Sequence, residues 1–132
     1  MPEVRLVAVL LAAGAAFLLG GLWYSPVLFG KRWQRETGLT DERLNQRNPA
    51  VVFGLSFVLA FVAAWVFAMF LGPEVTPGFG AAAGAGAGLA WVGSSFGINY
   101  LFERKSLALF VINAGYHALQ FTLTGLILGL WK

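Results

Sequence analysis

The chain has 132 residues and a formal net charge of +3, and it is 58% hydrophobic and only 11% charged, where an average soluble domain is about 25% charged. Residues 6–30, 48–73, 75–102 and 106–131 carry no Asp, Glu, Lys or Arg, and each stretch exceeds the roughly 20 apolar residues that cross a bilayer core as helix. That excludes a soluble globular protein and predicts an all-α polytopic membrane protein: four transmembrane helices in one compact bundle, a single domain over 1–132.

The first predicted span covers about 4–24 and is read as a retained helix: Glu3 beside Arg5 is a poor signal-peptide start, and the apolar run is long for one. Ala12, Ala16 and Gly20 recur every four residues, which lets a second backbone approach closely. Pro26 has no N–H, so the Leu22 carbonyl loses its helical partner and needs another donor at membrane depth. A polar loop over 31–48 follows. Within it, Gly38 is a stop for a turn containing Trp33, and Thr40 is an N-cap for a turn carrying Asp41 and Glu42 at its positive end.

Asn48-Pro49 reads as N-cap plus first helical residue of a second span over about 49–71, with Ser56 its clear polar side chain. Gly72-Pro73 and Pro77-Gly78 make the next turn. The third span, about 78–102, opens with Gly80, Gly84 and Gly88, a spacing that in lipid marks a tight helix contact. At 100° per residue that face continues to Ser95 and Asn99. The fourth span, about 106–131, sets Asn113, Tyr116, His117, Gln120 and Thr124 on one face. Ala118, Thr122, Gly125 and Gly129 lie opposite. Hydrogen-bonding groups on one side and small residues on the other predict a helix at the centre of the subunit or across a subunit interface.

Charge placement sets the expected orientation. Lys31, Arg32, Arg35, Arg43, Arg47, Arg104 and Lys105 fall between spans on one side, against Arg5 and Lys132 on the other. The positive-inside rule puts the basic loops in the cytoplasm and both termini outside, and the positive balance is topological rather than a sign of nucleic acid.

Counting residues inward places Tyr24, Ser25, Ser56, Asn99 and Asn113 at one depth in the cytoplasmic half, with Tyr116, His117 and Gln120 continuing from Asn113. Two readings stay open. In one, these residues form a cytoplasm-facing polar pocket of an oligomeric transporter- or channel-like protein that takes a small-molecule ligand; polar groups in spans concentrate on such pathways. In the other they are interhelical glue in a non-transporting scaffold or accessory module that packs with lipid or a partner membrane protein. Gly80, Gly84, Gly88, Gly125 and Gly129 are the candidate helix-packing residues, and a homo-oligomer is expected through them. No catalytic site, cofactor or metal is expected: the chain has no cysteine and one histidine. His117 has no carboxylate on its face to relay a proton to, and a zinc site takes three or four protein ligands.

The run Trp23-Tyr24-Ser25-Pro26-Val27-Leu28-Phe29-Gly30-Lys31 with Trp33, then Gly38-Leu39-Thr40, and a tail containing Ile112-Asn113-Ala114-Gly115-Tyr116 and Gly125-Leu126-Ile127-Leu128-Gly129-Leu130-Trp131, resembles a family of small four-helix bacterial membrane proteins described as a domain of unknown function, with the signature W-Y-S-P-x-x-F-G-K-x-W. The resemblance covers essentially the whole chain. It implies a four-span protein of the bacterial cytoplasmic (inner) membrane, multi-pass, with the lipid bilayer as its first partner. It also marks Trp23, Tyr24, Ser25, Pro26, Phe29, Gly30, Trp33, Asn113 and Tyr116 as recurrent positions, and implies no activity.

Overall fold

A computed structural model describes residues 4–131. In chain order the helices are α1 (Leu6–Trp23), α2 (Gly30–Thr37), α3 (Asp41–Asn45), α4 (Pro49–Leu71), α5 (Pro77–Gly86), a π-helical segment (Ala87–Gly93), α6 (Ser94–Glu103) and α7 (Leu107–Leu130). The run α5–π–α6 is one continuous span, so four helices are long and apolar enough to cross a membrane, and the protein is a multi-pass membrane protein. The loop over 31–48 is largely helical, holding α2 and α3.

The helix ends follow local chemistry. Asn48 Oδ1 accepts from Ala50 N at 2.9 Å with Pro49 in the first turn of α4. Thr40, Thr76 and Ser106 cap α3, α5 and α7 through their hydroxyls, accepting from Arg43 N, Phe79 N and Leu109 N. Each satisfies an N–H that the first turn leaves without a helical partner. Gly38 ends α2 at φ 74°, a left-handed conformation that glycine adopts without strain.

α7 is the centre of the subunit, antiparallel to α1 on one side and to α5 with the π segment on the other, while α4 leans on α1. The core is built mostly from small residues, Ala8, Val9, Ala12, Ala64, Ala68 and Ala87, with Phe67 and Leu128 among them. Against lipid, burial of apolar surface gives no net drive, so close backbone contact must supply dispersion energy instead. Gly80, Gly84 and Gly88 face Gly125, Phe121 and the His117–Ala118 backbone; a Cβ on Gly80 or Gly84 would land on the carbonyl oxygen of Gly125 or Phe121. Gly129 lies equally close against Pro77. These five glycines pack helix on helix within one chain, so the surfaces expected to join copies are already occupied. The outward side of α4, with Leu55, Leu59, Val66 and Phe70 exposed, is left to acyl chains.

Candidate functional site

The most elaborate local structure lies where α1 ends. Pro26 removes the donor that would have served Leu22, and Ser25 replaces it twice: Ser25 N and Ser25 Oγ both donate to Leu22 O, at 3.2 and 2.7 Å. The chain then folds back on itself, with Phe29 N donating to Trp23 O at 3.0 Å and Gly30 N to Ser25 O at 2.9 Å. Gly30 is required there, because a Cβ would fall on the Tyr24 carbonyl oxygen. The Phe29 ring meets the Trp23 indole with centroids 4.7 Å apart.

This turn aims two side chains at α7. Trp23 Nε1 donates to Ile112 O at 2.9 Å, and the indole lies over Gly115, where a Cβ would stand 3.2 Å from the ring. The Tyr24 hydroxyl donates to Asn113 Oδ1 at 2.6 Å, and Asn113 Nδ2 donates to the Tyr100 hydroxyl at 2.7 Å. Asn113 therefore joins α1, α6 and α7. The Trp33 ring of α2 packs edge-on against Tyr24, centroids 5.9 Å apart, which seats the amphipathic helix on the same cluster.

Above Asn113 the polar face of α7 continues in the same manner. The Tyr116 hydroxyl donates to Ala16 O at 2.8 Å and lies beside Gly20. His117 stacks on Phe96 at 5.1 Å and approaches the amide of the buried Gln120 at 3.4 Å from its Nδ1. The Thr124 hydroxyl returns to Gln120 O at 2.7 Å. Among the described residues, every buried side-chain nitrogen and oxygen has a partner.

The expected convergence of five residues is therefore corrected. Tyr24 and Asn113 meet. Ser25 serves its own helix end. Ser56 is exposed and donates to Val52 O within α4, whose first two turns, residues 49–56, are exposed on every side. Asn99 and Ser95 are exposed as well. The reason lies in the π segment: its wider turn holds one residue more than an α turn, so the face running through Gly80, Gly84 and Gly88 resumes at Gly93, Gly97 and Tyr100. Gly93 and Gly97 lie against Ala114 and Phe110 of α7, and Tyr100 takes the position that regular α periodicity assigned to Asn99. Tyr100 and the indole bond of Trp23 are the residues that counting missed. The glycine-rich Ala87–Gly93 stretch was the available signal of irregularity.

The interior offers three phenols, of Tyr24, Tyr100 and Tyr116, the Asn113 amide, a buried glutamine and one imidazole, donors and acceptors turned toward each other. Among the described residues no three His, Cys, Asp or Glu side chains come together as a metal site. Two surface hollows lie elsewhere. One of about 20 Å³ sits between Arg5, Ala68, Pro73, Leu128 and Trp131. The other, of about 580 Å³, is open and lined by Lys31, Gln34, Arg35, Gly38 and Leu39. At the foot of α2, the Ser106 hydroxyl and then the Arg32 guanidinium hold the Glu36 carboxyl below its usual range; Arg32 Nε meets Glu36 Oε2 at 2.9 Å.

A family model described as protein of unknown function (DUF1761) matches residues 7–129, and the chain belongs to that family. No curated protein and no solved structure matches it.

Proposed function

We propose that this chain is a non-conducting membrane module that mounts a rigid basic helix at the cytoplasmic surface of a bacterial inner membrane. The observation that carries this reading is the pairing of Tyr24, Asn113 and Tyr100 with one another. A permeation path needs polar groups that can exchange their partners for water or solute, and here the two bonds join three helices inside the subunit. Burial of Gln120 and Thr124 toward the other end of α7 continues the closure.

The orientation rests on seven basic residues at the loop end of the bundle against Arg5 and Lys132 at the terminal end. With that end in the cytoplasm, the turn Trp23–Gly30 works as a hook: it ties α1 to α7 and holds α2 against the cluster through Trp33. No proton donor–acceptor pair with a carboxylate stands in the network, so the reading includes no catalytic step. Its test is ion and small-solute flux in proteoliposomes. Wild type and Asn113→Ala are both expected to match protein-free vesicles; flux in wild type that Asn113→Ala abolishes would overturn the reading in favour of a pore.

A further inference from the structure

α2 carries three basic residues, and its geometry divides them. Arg32 is engaged by Glu36 one turn on, the one ion pair among the described residues. Lys31 and Arg35, also one turn apart, lie on a neighbouring stripe of the helix and line the open hollow of about 580 Å³ with Gln34, Gly38 and Leu39. Both are exposed. The acid tied into this neighbourhood is Asp41, whose Oδ1 accepts from Gln34 Nε2 at 2.8 Å and which stands in the positive first turn of α3. Two cations without an ion-pair partner among the described residues thus share one shallow concavity that is open to its surroundings.

The position of the hollow selects the ligand. α2 closely follows the end of a membrane-spanning helix, and Trp33, on the side of α2 opposite Lys31 and Arg35, is packed on Tyr24 at the foot of α1. The hollow therefore opens at headgroup level. The exposed apolar Val27, Leu28 and Phe29 immediately precede α2, and Leu39 contributes an apolar wall. A phosphate beside aliphatic surface matches a glycerophospholipid better than a soluble anion. We propose that the hollow formed by Lys31 and Arg35 binds the phosphate of an anionic lipid headgroup. The Trp33–Tyr24–Asn113 cluster holds α2 in place before the lipid arrives, which lowers the ordering cost of binding. The inference deepens the reading of α2 as a basic helix at the membrane surface.

Native mass spectrometry of the full chain in detergent tests it, with phosphatidylglycerol, phosphatidylcholine and inorganic phosphate as separate probes. Phosphatidylglycerol is expected to be retained in preference to phosphatidylcholine. Lys31→Gln with Arg35→Gln should weaken retention roughly thirtyfold, the loss of two basic contacts near an anionic surface. Arg43→Gln with Arg47→Gln removes the same charge elsewhere in the loop and should leave retention unchanged. Equal retention of both lipids, equal loss in both double variants, or displacement by millimolar inorganic phosphate would each overturn the proposal. Circular dichroism checks that the variants, all at exposed positions, keep their helix content. The flux assay is indifferent to this result, so either reading can fail alone.

Discussion

The Tyr24 hydroxyl and the Asn113 amide oxygen, 89 positions apart in the chain, are joined by a 2.6 Å hydrogen bond. That bond links the turn after α1 to the polar face of α7. It gives Tyr24 and Asn113 a shared structural reason to be there. An interhelical hydrogen bond in a membrane contributes about 0.6 kcal/mol on average and up to about 1.7 kcal/mol. Tyr24→Phe and Asn113→Leu should each destabilise the bundle, and in combination they should cost less than the two changes separately, with a coupling energy in that range. Reversible unfolding in mixed micelles measures it; strictly additive losses would show that the two side chains do not act on each other.

The glycines of α5 allow a sharper contrast. A Cβ on Gly84 would strike the Phe121 carbonyl, whereas one on Gly86, two residues further on, would meet nothing within 4 Å. Gly84→Ala must push α5 away from α7 and should cost roughly 1–3 kcal/mol. Gly86→Ala should be neutral or stabilise by up to about 1 kcal/mol, through helix propensity alone. Equal effects of the two changes in the same unfolding experiment would mean that the close α5–α7 approach is absent in the bilayer.

The pairing of α6 with α7 separates two adjacent residues. Tyr100→Phe removes the acceptor of Asn113 Nδ2 and should cost about 0.6–1.7 kcal/mol, while Asn99→Ala, at an exposed position, should change stability by less than about 0.5 kcal/mol. The reverse order would place the π segment elsewhere.

That pair also marks how far the sequence could be read. The four spans are legible because lipid demands long uncharged runs, and the caps at Asn48, Thr40 and Gly38 are legible because few residue types do that work. α7 as the central helix follows from its two contrasting faces. Asn99 was misplaced because extrapolation at 100° per residue assumes an unbroken α-helix, and a single π turn moves every later side chain by about one residue. Ser56 was misplaced for a different reason. Depth can be counted along a helix, but whether a given turn of a uniformly apolar helix packs at all leaves no periodic trace, and the turns of α4 around Ser56 are exposed on every side. Sequence spacing also could not tell whether the small-residue faces meet within one chain or between two.

Acidification should act on α2. The Glu36 carboxyl is held below its ordinary value of 4.5 by the Ser106 hydroxyl and by Arg32. Its contribution to seating α2 is therefore complete above that pH and is lost as pH falls through the lowered value in the folded protein. Trp33 fluorescence should change in that acid window in wild type, and Glu36→Gln should remove the transition. A transition unaffected by Glu36→Gln would assign it to another group.

The central claim is that the polar side chains gathered around Asn113 face each other rather than water. The chain has no native cysteine, so a single introduced thiol reports its own access to solvent. In sealed membranes, Asn113→Cys should stay unreacted with a charged, membrane-impermeant thiol reagent applied from either side, while Gly38→Cys in the exposed loop reacts. Prompt modification of Asn113→Cys in a folded protein would contradict the claim and open the bundle to a water-filled path.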